Sequence, residues 1–227
     1  MNTPKETILW LLSQIRTVKT RLLARYHFLR LAPKAWQRSS GYENYLQTQL
    51  KRTLSKKDAA LPNRARILID KVSDFTDLAE CDVLCIGCRN TTELDYFRSK
   101  GANHVTGIDI YSDDETILVM DMHDMTFPDN SFDVIYSSHS LEHAFDVAKA
   151  IGEILRVTRP GAVVAIEVPV AYETRGADLV DFRNLETLYR YFEPYVAEIF
   201  WSGRHPPHTP ANDSGHSVVR TIFKIGE

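Results

Sequence analysis

Cysteine is scarce in this chain, and its three copies, Cys81, Cys85 and Cys88, stand close together. An odd, clustered set excludes a disulfide framework. On a strand rising about 3.3 Å per residue, Cys81 and Cys85 lie about 13 Å apart, too far to share one metal ion. Buried packing thiols in a reducing cytoplasm are the expectation, with no metal site. Long apolar runs are missing too. The longest near the start, Ile8-Leu9-Trp10-Leu11-Leu12, falls well short of the ~20 residues of a membrane-spanning helix. No small-residue cleavage site follows it, so it does not read as a signal peptide. Internal repeats and low-complexity tracts are absent, which excludes solenoids and disordered arrays. The turn Gly87-Cys88-Arg89-Asn90-Thr91-Thr92 lacks the glycines of a dinucleotide fingerprint, which sets aside a nicotinamide-dependent dehydrogenase.

The 227 residues suffice for one well-buried α/β domain and an appendage, not for two full domains. Residues 1–60 carry 12 Lys and Arg against 3 Asp and Glu, while residues 61–227 carry 15 against 27. The charge therefore changes sign near residue 60, which divides a basic helical extension, 1–60, from an acidic domain, 61–227. Within the extension, Ile8, Leu11, Leu12, Ile15, Val18, Leu22, Tyr26 and Leu29 fall within an arc of about 120° at helical spacing. Arg16, Arg21, Arg25 and Arg30 lie at or beyond its edges, and Lys19 falls inside it. Three readings stay open: a lid or homodimer helix packed on the acidic domain, a peripheral membrane contact through residues 5–34, or nucleic-acid binding. The acidic domain favours the first and disfavours nucleic acid. Gly41 to Tyr45 reads as a loop entering a second helix over the substrate pocket.

From Leu61 onward, apolar runs alternate with helical patterns, the mark of a mostly parallel sheet covered on both faces. Strands are expected at Asp82 to Ile86, His104 to Asp109, Thr116 to Met120, Phe132 to Ser137, Ala162 to Val168, Val196 to Trp201 and Ser217 to Ile225. Asn90 and Glu93 have capping-box spacing at the start of a helix that stops at Gly101. Val147, Ile151, Ile154 and Leu155 share one face of a later helix. The connection between the last two strands is too short for a crossover helix, so the last strand pairs antiparallel. Three histidines, His205, His208 and His216, sit around a Pro-rich loop suited to a lid, at spacings that match no zinc motif.

Val83-Leu84-Cys85-Ile86-Gly87-Cys88, Gly107-Ile108-Asp109, the run Asp121 to Ile135, Leu141-Glu142-His143 and Arg156 to Gly161 together resemble the class I S-adenosylmethionine-dependent methyltransferases. The resemblance covers about residues 80–170. It implies a doubly wound, seven-stranded, Rossmann-like α/β fold and S-adenosylmethionine as cofactor. Gly87, with Cys88, lets the backbone turn close to a ligand at the strand ends. Asp109, followed by Ile110, is placed to accept from ribose hydroxyls. The family pattern carries the adenine contacts over to Asp121 and Met122, and Ser138, just after the fourth strand, is the last of the expected cofactor-binding residues. Asp133 and Arg159 read as structural.

One departure stands out. The family's first motif carries an acid before Ile-Gly and a second glycine, where this chain has Cys85 and Arg89. A guanidinium there either obstructs the cofactor or binds its carboxylate. If it obstructs, the chain is a non-catalytic partner subunit of the same fold. Otherwise it is an enzyme acting on a small molecule, a sugar or a lipid-linked glycan, most simply at oxygen. For that reaction His139 is the expected general base, with Glu167 next and Glu142 and His143 behind them.

Overall fold

A computed structural model describes residues 40–226. The expectations for residues 5–34, as lid, homodimer or membrane helix, lie outside them. Among the described residues, no helix is long and apolar enough to cross a membrane.

The elements run α1 (Ser40–Lys56), α2 (Asn63–Phe75), β1 (Asp82–Ile86), α3 (Thr92–Ser99), β2 (His104–Asp109), β3 (Ile117–Val119), β4 (Phe132–Ser138), α4 (Val147–Val157), β5 (Thr158–Pro169), α5 (Leu185–Tyr189), β6 (Val196–His205) and β7 (Val218–Ile225). They form one seven-stranded sheet in the order β3-β2-β1-β4-β5-β7-β6. Six strands share a direction, and β7 runs against both its neighbours. The doubly wound α/β architecture with an antiparallel last strand is therefore the observed one. The order reverses between β1 and β4, which opens a crevice at their carboxyl ends.

Period-two alternation builds two cores at once. Leu84, Ile86, Ile135, Val164 and Ile166 face α4 through Ile151, Ile154 and Val157. Val83, Cys85, Val134, Tyr136 and Ala165 face α2 and α3 through Leu68, Ile69, Val72, Leu94 and Phe97. The strands are apolar on both sides because helices cover both sides. Asp146 caps α4 by accepting the Lys149 N–H at 3.0 Å. All three cysteines are buried and free. Burial pushes the Cys85 and Cys88 thiols far up, which leaves them inert packing groups.

Several boundaries differ from the sequence reading. Gly41 to Tyr45 belong to α1 rather than to a loop. Strand β5 starts at Thr158 instead of Ala162, because a register shift opposite Phe132 and Val134 absorbs Pro160 and Gly161; Gly161 has φ +79° there. Asp133 accepts the Asp82 N–H at 2.9 Å and pairs with Arg159, which confirms a structural role for both.

Ile154 is fully buried between α4 and the sheet. Ile154→Ala should lower unfolding stability by about 2–5 kcal/mol, measured as a shift of the urea midpoint at unchanged slope.

Candidate active site

The turn after β1 is held from three sides. Gly87 has φ +73°, its N–H donates to Ile108 O at 2.8 Å, and Ser140 Oγ donates to Ile86 O at 2.8 Å. A Cβ on Gly87 would stand 2.7 Å from Ser140 Cβ, so only glycine fits. Cys88 turns its thiol inward over Gly107, where an added Cβ would meet Sγ at 2.8 Å. Arg89 also takes a left-handed backbone, φ 60°. Its N–H then donates to Asp109 Oδ2 at 3.0 Å.

Asp109 ends β2 with its carboxylate already engaged. Oδ1 accepts from Tyr111 N–H at 3.2 Å and from the Thr53 hydroxyl of α1 at 3.4 Å. Burial raises its pKa, while these donors and the Arg89 charge oppose the rise. Asp121 Oδ1 accepts from His123 N–H at 2.9 Å and faces His123 Nδ1 at 2.5 Å. Asp146 N–H donates to His123 Nε2 at 3.3 Å, which puts the ring hydrogen on Nδ1, toward Asp121. Asp121 Oδ2 is buried and has no hydrogen-bond partner among the described residues.

Helix α1 forms one wall. Tyr42 and Tyr45 stack on each other at 5.3 Å and pack against Phe145 and His123, with Ile110 beneath them. This aromatic dock sets Tyr45, Gln49, Arg52 and Thr53 over a cleft of about 510 Å³, whose floor includes Gly87, Arg89, Asp109, Ile110, Met122 and His139. Gln49 and Arg52 tie the helix down further, to Ala177 O at 2.9 Å and Asp178 at 2.7 Å. The helix that the sequence places over a substrate pocket lies over the cleft at the ends of β1 and β2.

His139 has φ 53°. Its Nε2 lies 3.1 Å from Glu167 and its Nδ1 3.4 Å from Glu142. Burial alone would lower its pKa, but the two carboxylates outweigh that and raise it to about 9. The raised pKa favours the protonated ring at neutral pH, which weighs against the base role expected of it. Glu167 serves no better. Burial pushes it up, but His139 and Arg220 hold it down at about 2, and Arg64 Nε and Ser138 Oγ approach it at 3.2 and 3.3 Å.

A further carboxyl at this turn belongs to Glu93. Burial raises it to about 7, against the pull of a hydrogen bond from Tyr136 and the charges of Arg89 and Arg64. It lines a recess of about 400 Å³ with Arg64, Gly87, Arg89, Ser138 and His139. The sequence reading placed Glu93 in a capping box. In the structure Asn90 Oδ1 takes the Thr92 N–H and hydroxyl at 3.1 and 2.7 Å, and Glu93 turns inward to Tyr136 at 3.2 Å.

The Pro- and His-rich loop also reaches the site. Asn212, fully buried, donates to Pro206 O and His216 O at 3.0 and 2.9 Å, stapling the loop. Among the described residues, no group of three or more His, Cys, Asp or Glu side chains is arranged to hold a metal ion.

Residues 84–166 match the family described as the methyltransferase domain. A sterol 24-C-methyltransferase of Neurospora crassa is 29% identical over 167 residues, 71% of this chain and 39% of that protein. A demethylmenaquinone methyltransferase of Anoxybacillus flavithermus is 35% identical over 77 residues, 34% of this chain and 30% of that protein. The chain thus spans well under half the length of these relatives. Its fold is that of Burkholderia thailandensis 1,6-didemethyltoxoflavin-N1-methyltransferase, solved with 1,6-didemethyltoxoflavin and S-adenosylhomocysteine. That likeness has a TM-score of 0.57 at 16% identity and covers 85% of this chain and 88% of that one.

The His139 proton carries a pH signature. Its pKa rises from 6.5 to about 9 on folding, so its stabilisation is complete below pH 6.5 and is lost as pH climbs through about 9. The urea midpoint of the native protein should fall across that window, and His139→Gln should flatten the fall. An equal decline in both proteins would remove His139 as its source.

Proposed function

From the class I S-adenosylmethionine-dependent methyltransferase domain that this chain carries, we propose that it methylates a small-molecule acceptor held between α1 and the ends of β4 and β5. The observation that carries the reading is the pair of carboxylates under the cleft. Asp109 closes β2 beside the left-handed Gly87 turn, and Asp121 keeps one buried oxygen without a donor among the described residues.

S-adenosylmethionine fits these groups. Its ribose hydroxyls and adenine amino group are donors; Asp121 Oδ2 is an acceptor with no partner among the described residues, and Asp109 keeps acceptor capacity beyond the Arg89, Tyr111 and Thr53 donors it already holds. Gly87 and Cys88 supply close backbone, and Ile110 and Met122 the apolar contact for the base. Arg89, in place of the family's second glycine, supplies a guanidinium for the cofactor's carboxylate. The cofactor brings a methyl group on a sulfonium, which an acceptor lone pair displaces in line to leave S-adenosylhomocysteine.

The chain's own residues then have two tasks. Holding the acceptor in line with the methyl group supplies most of the rate; α1 and the His139 turn, braced by Glu167, do this. Where the acceptor is a hydroxyl, its proton passes to Glu93, whose pKa burial raises to about 7. Oxygen is therefore the acceptor atom we favour, in a small molecule, a sugar or a lipid-linked glycan. The relatives named for sterol and demethylmenaquinone methylation support an acceptor of small-molecule size.

Two measurements test the reading. Asp109→Ala should weaken S-adenosylhomocysteine binding by about 1–3 kcal/mol in calorimetry; equal affinity would take Asp109 out of the site. No binding by the native protein would instead support a non-catalytic subunit. Turnover should rise as pH passes through about 7, since Glu93 must be ionised to accept a proton. Glu93→Gln should abolish that ascending limb and lower kcat by ~10²–10⁴-fold. A limb that survives the substitution belongs to another group.

A further inference from the structure

Beside the cofactor cleft lies a larger cavity of about 1090 Å³, open at the same strand ends and walled by α1, the His139 turn and the stapled loop at His216. Its charge is one-sided. Arg52, Lys56, Arg64, Arg89 and the His139 imidazolium line it, against the carboxylates of Glu142 and Asp178. Behind the wall, Asp213 and Glu167 compensate Arg64 and the buried Arg220, while Asp178 takes Arg52 and Glu142 takes His139. Among the described residues, Lys56 and Arg89 have no salt-bridge partner, although both line the cavity.

Lys56 loses some affinity for its proton through burial first, then through the charges of Arg52, Arg89 and Arg64. Positive groups crowded this closely repel one another, and the fold tolerates them by fixing them on three separate segments. Arg52 and Lys56 ride one turn apart on α1, Arg64 begins α2, and Arg89 sits on the strained turn after β1. A cavity lined this way attracts an anion and repels a cation. The cofactor alone does not relieve the excess, because one carboxylate against a sulfonium and an ammonium leaves it positive overall.

We infer that this cavity is the acceptor site and that it recognises an anionic group on the acceptor, a carboxylate or a phosphate, between Lys56, Arg52 and Arg64. The inference rests on reading the neighbouring cleft as a methyl-transfer site, and it fixes the substrate class within that reading. A guanidinium pair with an ammonium suits either oxyanion, the guanidinia giving paired donors and Lys56 a point charge. A neutral sterol would cover Lys56, which has no carboxylate partner among the described residues, without supplying the anion that Arg52 and Arg64 find in Asp178, Asp213 and Glu167.

The test uses inorganic phosphate and benzoate as separate probes, with benzyl alcohol as the neutral control. Each is titrated into the full chain saturated with S-adenosylhomocysteine and followed by the backbone amide resonances of residues 52–64 and 214–216. Saturable shifts there with phosphate or benzoate, and none with benzyl alcohol, are expected; whichever anion binds more tightly names the group. Lys56→Gln should weaken that binding about tenfold while leaving S-adenosylhomocysteine affinity within about twofold by calorimetry. Arg64→Lys, which keeps the charge but not the paired donors, should weaken it less than Arg64→Gln. Absence of saturable shifts, equal shifts with benzyl alcohol, or displacement of the anion by S-adenosylhomocysteine would overturn the inference. Failure of S-adenosylhomocysteine to bind at all would strike the methyl-transfer reading instead, and anion binding in the unsaturated chain would then stand by itself.

Discussion

Everything at the carboxyl ends of the strands hangs on one buried carboxylate, Glu167. It stands opposite Arg220 in the β5–β7 ladder, both side chains fully buried and in contact. Taking two charges out of water is costly unless their remaining hydrogen-bond capacity is met. Here it largely is: Arg64 and His139 approach Glu167 from α2 and the turn after β4, Ser138 donates from β4, and Arg220 reaches Ala211 O at 2.6 Å. One carboxylate thus ties two strands, a helix, a strained turn and the stapled loop into a single rim. Its replacement by a neutral group would leave Arg220 charged in the core, and the acceptor side would lose its shape before its chemistry.

The opposite wall is held by different physics. Helix α1 docks through aromatic packing of Tyr42 and Tyr45 on Phe145 and His123, reinforced by the Arg52–Asp178 pair. Apolar contact of this kind is insensitive to salt and pH, whereas the rim at Glu167 is electrostatic. The site therefore lies between a wall held mainly by apolar contact, with one ion pair at its edge, and a rim held by charge.

The sequence made the scaffold legible because its signals are local. Asp82 to Ile86 and His104 to Asp109 are apolar runs closed by a turn or an acid, and both strands have those bounds. Gly87 and Asp109 stand at strand ends, where the sequence puts them. Helix α2 carried a signal that went unread: Ala65, Leu68, Ile69 and Val72 sit at helical spacing and are its buried face. What stayed hidden depends on distance along the chain. His139 looked like a free base because Glu142 was the only acid near it in sequence. Glu167 arrives from the next strand and completes the charge pair that holds its proton. Glu93 was misread for the converse reason, a good local explanation concealing a remote partner, Tyr136. The basic cavity has no sequence signature at all, since Arg52, Lys56, Arg64 and Arg89 converge only after α1 folds over the sheet.

The hydroxyl of Thr53 rests on Asp109, the carboxylate proposed to receive the ribose. Of the roughly four acceptor positions on that carboxylate, Arg89, Tyr111 and Thr53 hold three, so a ribose bound there would share Asp109 with Thr53 or displace it. The same helix carries Arg52 and Lys56 to the proposed acceptor cavity. A ligand drawing on those two side chains would pull on the segment that carries Thr53, and the two proposed ligands would then feel one another through α1.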